Sequence, residues 1–147
     1  MIENIDIQVV EYDSYRQKKS VELRYQVLRE PLGLVYSPEQ LAEEKDEIHI
    51  AALSGEEVVG VLLLKIAGAK VLKMRQVAVA AHLQQSGIGK LLVYFAEQYA
   101  VNIGFQLIEL HARDTAMDFY LKQNYKIEGA VFLEVGIPHY KMKKVLV

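Results

Sequence analysis

Residues 75–90 read Arg-Gln-Val-Ala-Val-Ala-Ala-His-Leu-Gln-Gln-Ser-Gly-Ile-Gly-Lys. An apolar strand closes at Val79, a polar loop follows, and two glycines spaced by two stand where a helix begins. From there Ile88, Leu91, Leu92, Phe95, Tyr99 and Ile103 recur at helical spacing, with Lys90, Glu97 and Gln98 off that face and Gly104 placed as a stop. Glycine at a helix start is costly, because it packs nothing and loses extra backbone entropy on folding. One reading is that bare backbone is needed there. The head of a helix offers unpaired N–H groups and a positive dipole end, so phosphate oxygens could approach closely, with Ser86 and Lys90 at hand. The other reading is that Ser86 caps the helix and the glycines only permit a tight turn or a helix-on-sheet contact. The residues alone leave both open. The spacing fits neither a P-loop nor a complete dinucleotide fingerprint.

Upstream, 71–79 alternates, with Val71, Lys73, Arg75, Val77 and Val79 on one parity and Leu72, Met74 and Ala78 on the other; its second half reads as buried on both sides. Apolar runs at 48–53 and 57–64, joined by Ser54-Gly55-Glu56 and followed by a turn at Ala67-Gly68-Ala69, complete an antiparallel meander. Ile5, Ile7 and Val9 mark a first strand. Val21, Tyr25 and Leu28, with Leu23 and Val27, predict a helix over 14–30 that Pro31 ends. Residues 32–36 read as a loop. Ser37-Pro38 then caps a short helix through Glu44. Downstream, 105–111 is a strand, 116–122 a short helix introduced by Asp114 and Thr115, and 125–135 and 140–147 are strands around a turn at Gly136-Ile137-Pro138. The order β-α-α-β-β-β-α-β-α-β-β predicts an α/β protein (α+β in some schemes), one mixed central sheet with helices on both faces.

A chain of 147 residues, 52% hydrophobic with 3 Pro and 9 Gly, fits a single packed domain over 1–147. Its 17 basic and 19 acidic residues give a net charge of -2, which disfavours nucleic acid. The absence of cysteine removes disulfides, thiolate nucleophiles and cysteine-held metals. The 4 histidines lack metal-ligand spacing, so no metal is expected. No run reaches membrane-span length, and the acidic start lacks the pattern of a secretory leader, so a cytoplasmic protein is expected. The β-rich tail offers an edge on which a homodimer could pair.

Gln84-x-x-Gly87-x-Gly89, following Arg75-Gln76-Val77-Ala78-Val79, resembles the acetyl-CoA pyrophosphate loop of the GNAT superfamily of N-acetyltransferases. A second stretch is similar in order: 107–112, then Ala116-x-x-Phe119-Tyr120, then Asn124-Tyr125 where that family usually has Gly-Phe. The tail 132–142 and the stretch from Arg24 to Gly33 are similar to a bacterial subgroup of small acetyltransferases whose acceptors are generally unassigned. The resemblance implies the acyl-CoA N-acyltransferase fold, with acetyl-CoA as co-substrate. Backbone groups of Val77, Ala78 and Val79 would then meet the pantetheine arm where the fourth strand splays from the fifth. Gln84, Gln85, Gly87, Ile88, Gly89 and Lys90 would line the pyrophosphate, and Phe119 would pack near the cofactor. Tyr120 would stand where many members hold the tyrosine that protonates departing CoA thiolate. Arg113 occupies the place of an Asn that touches pantetheine in many relatives, either losing that contact or replacing it with one to phosphate. Asn124 replaces a turn glycine, a change Asn tolerates because it accepts left-handed geometry.

Acyl transfer from a thioester to an amine needs a neutral amine, a stabilised carbonyl oxygen and a proton for the leaving thiolate. The expected acceptor is a primary amine of a small molecule. Tyr120 donates without tuning, since an ordinary phenol stays protonated at neutral pH; its alternative role is a packed structural tyrosine. Glu134, His139 and His111 are candidate bases, each with an equally ordinary structural role. Arg24 and Arg29 would rim the acceptor cavity with the 32–36 loop, Arg75 would lie closer to it, and arginine suggests an anionic group on the acceptor. A non-catalytic acyl-CoA-binding or sensor domain is the alternative from another class.

Overall fold

The structure, a computed structural model, describes residues 4–147, so that part of the acidic start lies outside it. Two compact units partition the chain, one running through Lys65 and including Gln76–Ala96, the other Ile66–Arg75 with Glu97–Val147.

In the first unit, β1 (Ile5–Val10) pairs antiparallel with β2 (Ile48–Ser54), and β2 with β3 (Glu57–Gly68). Residues 50–53 and 58–64 are buried on both sides, which explains their continuous rather than alternating apolar sequence. The predicted first helix forms, but its winding changes along its length. α1 (Tyr15–Arg24) is capped by the Ser14 side chain on the Gln17 amide, then gives way to a π turn over Tyr25–Arg29 and a 3-10 turn over Glu30–Leu32. Pro31 lacks the N–H that a continuing helix would use, and Gly33 at φ 70° ends the run. α2 (Pro38–Ala42) opens on a full capping box between Ser37 and Gln40.

β4 (Val71–Val79) leads through a 3-10 turn at Ala81–Leu83 into α3 (Ile88–Asn102). In the second unit β4 is parallel to β5 (Leu107–Arg113) from Val71↔Leu107 to Met74↔Leu110. α4 (Met117–Leu121) follows a 3-10 turn. β8 (Ile137–Val145) runs antiparallel to β5 from His139 to Val145, and carries β6 (Lys126–Ile127) and β7 (Phe132–Glu134). The hydrogen-bonded strand order is β1-β2-β3-β4-β5-β8-β6, with β7 also on β8. This is the expected mixed sheet and element order with one more strand at the end.

Two expectations are corrected. The predicted strand over 125–135 is only β6 and β7, separated by residues that include Gly129 at φ 84°. The turn after it is Val135-Gly136, at φ 46° and 74°, so Pro138 lies inside β8, opposite Leu133. The buried face of α3 is also rotated from the predicted one: Leu91 and Ile103 are exposed, whereas Ile88, Leu92, Val93, Ala96, Glu97 and Ala100 are buried. Glu97 can be buried because Tyr125 Oη donates to it at 2.9 Å and Lys144 Nζ at 3.0 Å.

Candidate active site

The loop between β4 and α3 is built on left-handed backbone. Gln85 sits at φ 65° and Gly87 at φ 96°, and a Cβ on Gly87 would meet nothing within 4 Å. Its glycine therefore serves conformation rather than packing. The close helix-on-sheet contact falls to Gly60, where a Cβ would lie 2.7 Å from Leu92 Cδ1 and 3.2 Å from Ile88 Cγ2. Ser86 does not cap α3; its hydroxyl donates backwards to the Leu83 carbonyl. Gln84 Nε2 also turns back, to the Val79 carbonyl at 3.2 Å, tying the loop to the end of β4. The first bond into the helix is Leu91 N to Gly87 O at 3.1 Å. Among the described residues, no side chain or carbonyl occupies the amides of Gly87, Ile88, Gly89 and Lys90. Ile88 is buried, while Gln84, Gln85, Gly87 and Lys90 are exposed. A cavity of about 670 Å³ reaches this loop at Ala81, His82 and Gln84, with Tyr15, Lys19 and Gln26 on its other walls.

β4 carries a feature the sequence did not disclose. Gln76 has φ 55°, a left-handed residue inside a strand. By alternation it would join buried Leu72, Met74 and Ala78, yet it is half-buried and its Oε1 accepts a 2.6 Å bond from the Tyr36 hydroxyl. Its polarity in an otherwise apolar row was the available signal; its partner 40 residues away was not readable. Val77 and Val79 are half-buried and Ala78 is buried.

Arg24 corrects an expectation. It does not rim a cavity: it is 1% exposed, and its two terminal nitrogens each donate to Glu44 at 2.8 Å. Burial alone would lower its pKa, but the Glu44 carboxylate outweighs this and raises it. The Tyr36 ring covers this guanidinium at 4.7 Å, and Arg29 stacks on the same ring at 4.6 Å. A second cavity, of about 400 Å³, is lined by Tyr25, Glu30, Val35, Tyr36 and Leu41. Arg75 is half-buried on β4.

In the second unit, three of the predicted residues come together. His111 Nδ1 lies 2.9 Å from Glu134 Oε1, and His139 Nε2 lies 3.6 Å from Glu134 Oε2. The pairing Arg113↔His139 in β5 and β8, followed by the tight Val135-Gly136 turn into β7, brings about this convergence. Phe132 packs edge-on against His111 at 5.0 Å and stacks on His139 at 6.0 Å. A carboxylate and a carbonyl can only accept. His111 therefore donates through Nδ1 to Glu134, leaving Nε2 as the basic nitrogen of the neutral ring, and His139 donates through Nδ1 to the Ile137 carbonyl at 2.8 Å. Burial would raise the Glu134 pKa, but the hydrogen bond from His111, the charges that His111 and His139 carry when protonated, and the charge of Lys73 hold it below the ordinary carboxylate value.

Tyr120 is 7% exposed, packed edge-on against Phe119 at 5.0 Å and Tyr125 at 5.8 Å. Burial pushes its pKa further up, which keeps the phenol protonated. Phe119 and Arg113 are half-buried. Asn124 takes φ 71° in the turn after α4, the left-handed geometry for which Asn stands in for glycine. Among the described residues no group of three or more acidic, histidine or cysteine side chains is arranged to hold a metal, and no helix is long and apolar enough to cross a membrane.

Residues 17–146 match the family model described as Acetyltransferase (GNAT) domain, and the chain belongs to that family. Membership places it among the acyl-CoA-dependent acetyltransferases. The uncharacterized protein YyaT of Bacillus subtilis (strain 168) is 29% identical over 121 residues, covering 75% of this chain and 81% of that protein. A solved Lactobacillus plantarum structure, provisionally named an N-acetyltransferase, superposes with a TM-score of 0.88 at 23% identity, covering 97% of this chain and 99% of the other. A Bacillus subtilis acetyltransferase in complex with CoA gives a TM-score of 0.77 at 20% identity, covering 98% and 100%.

Proposed function

We propose that this chain transfers the acetyl group of acetyl-CoA directly to a primary amine of a small molecule. The observation that carries the reading is the head of α3. A loop shaped by Gln85 and Gly87 leaves the amides from Gly87 to Lys90 without protein partners among the described residues. Such an array suits pyrophosphate oxygens. That a solved relative of the same fold holds CoA supports the assignment. Val77, Ala78 and Val79 would accompany the pantetheine arm.

Tyr120 would give its proton to the CoA thiolate as the thioester C–S bond breaks, its raised pKa keeping the donor form populated. For the amine, His111 is the base favoured by geometry, since Glu134 holds its Nδ1 proton and frees Nε2. Glu134 then orients the base, and His139, whose Nε2 stands 3.6 Å from the second oxygen of Glu134, attracts that carboxylate when its ring is protonated. Arg29, stacked on the ring of Tyr36, which lines the 400 Å³ cavity, and Arg75 on β4 would be the arginines to meet an anionic group on the acceptor.

The test is a calorimetric titration with acetyl-CoA, followed by a panel of small amines assayed for free CoA. Saturable binding with amine-dependent CoA release supports the proposal. Binding without release on any amine points to a sensor domain, and absence of binding overturns the cofactor assignment.

A further inference from the structure

The Tyr36 hydroxyl reaches across to β4 and bonds Gln76 Oε1 at 2.6 Å, at the one strand position in β4 with left-handed backbone. A residue with a Cβ takes that conformation only when its surroundings hold it there. Two residues earlier, at Met74, the parallel register with β5 ends. One residue later begins Val77–Val79, to which the proposed function gives the pantetheine arm.

Tyr36 is itself firmly seated. The guanidiniums of Arg24 and Arg29 lie 4.7 and 4.6 Å from its ring centre, and Arg24 is locked by two 2.8 Å bonds to buried Glu44. For the Gln76 side chain the Tyr36 hydroxyl is the hydrogen-bond partner. The hydroxyl is therefore a short side-chain strut between a seated aromatic and a left-handed strand residue.

We propose that Tyr36 is a positioning residue of the acyl-transfer site: by donating to Gln76 it holds β4 in its left-handed turn and so fixes the backbone direction of Val77 to Val79. This rests on the assignment of that segment to acetyl-CoA. Strand geometry and cofactor affinity are therefore measured separately.

Tyr36→Phe keeps the ring between its two arginines and removes only the strut. Amide exchange followed by NMR, without cofactor, reports the strand. In Tyr36→Phe the amides of Val77, Ala78 and Val79 should exchange faster than in the parent, while those of β8 stay unchanged. Unchanged exchange at 77–79 overturns the proposal, whatever the protein binds. Titration with acetyl-CoA reports the consequence: loss of one hydrogen bond should weaken binding by roughly threefold to tenfold. The Gln76→Gly background separates positioning from general damage, because glycine adopts the turn without a Cβ penalty. There, adding Tyr36→Phe should change acetyl-CoA affinity by less than about twofold. An equal loss in both backgrounds overturns the proposal. If the parent protein binds no acetyl-CoA, the cofactor assignment fails, and the exchange data still decide whether Tyr36 holds the strand.

Discussion

At the scale of single residues, Tyr120 and Glu134 make opposite use of their surroundings. Burial alone acts on the phenol and strengthens its hold on a proton, whereas at Glu134 the His111 hydrogen bond and the surrounding basic groups overcome burial and lower the pKa. Tyr120→Phe retains the packing on Phe119 and Tyr125. It should leave acetyl-CoA affinity intact while lowering kcat on the order of 100-fold; undiminished turnover would remove the acid role. Glu134 has a depressed folded-state pKa, so its contribution to stability is complete above the unfolded value of about 4.3 and disappears as pH falls through the lower folded value. The stability difference between the parent and Glu134→Gln in urea melts should thus shrink as pH falls through the carboxylate range. A difference that grows in acid would contradict the assigned environment.

At the scale of elements, the glycines of the helix-loop region divide into two kinds. Gly60 gives way to the side chains of α3, while Gly87 supplies a backbone angle and touches nothing. Gly60→Ala should cost about 1–3 kcal/mol of stability through overpacking against buried Leu92 and Ile88. Gly87→Ala should cost about 1 kcal/mol yet weaken acetyl-CoA binding measurably; denaturation and titration of both variants check the contrast. What could be read from the chain follows the same division. The apolar runs of β2 and β3, the bounds of β4 and the onset of α3 are written locally, in periodicity and punctuation. The sequence named Glu134, His139 and His111 one by one; their meeting was not legible, because it depends on the β5–β8 pairing and a tight Val135-Gly136 turn. The buried face of α3 was not legible, because Glu97 enters the core only with Tyr125 and Lys144, partners 28 and 47 residues away. Arg24, expected at the rim of the acceptor cavity, misled for the same reason: its partner Glu44 lies 20 residues on.

For the whole molecule, a ligand that binds only the folded chain must stabilise it. At a free acetyl-CoA concentration of about 100 times Kd the gain should be about 2.7 kcal/mol, seen as a rise in Tm that grows with ligand concentration. A chelator should leave that rise untouched, given the donor sets present among the described residues.

The seated pair of Arg24 and Glu44 restricts how this sequence can drift. Losing either partner alone strands a charge in the interior, at a cost of about 3–5 kcal/mol, whereas two well-packed apolar residues could replace both at little cost. The two positions are therefore joined by a fitness valley. In a library randomised at both and selected for stable folding, surviving clones should carry either the charged couple or an apolar couple, with mixed genotypes depleted.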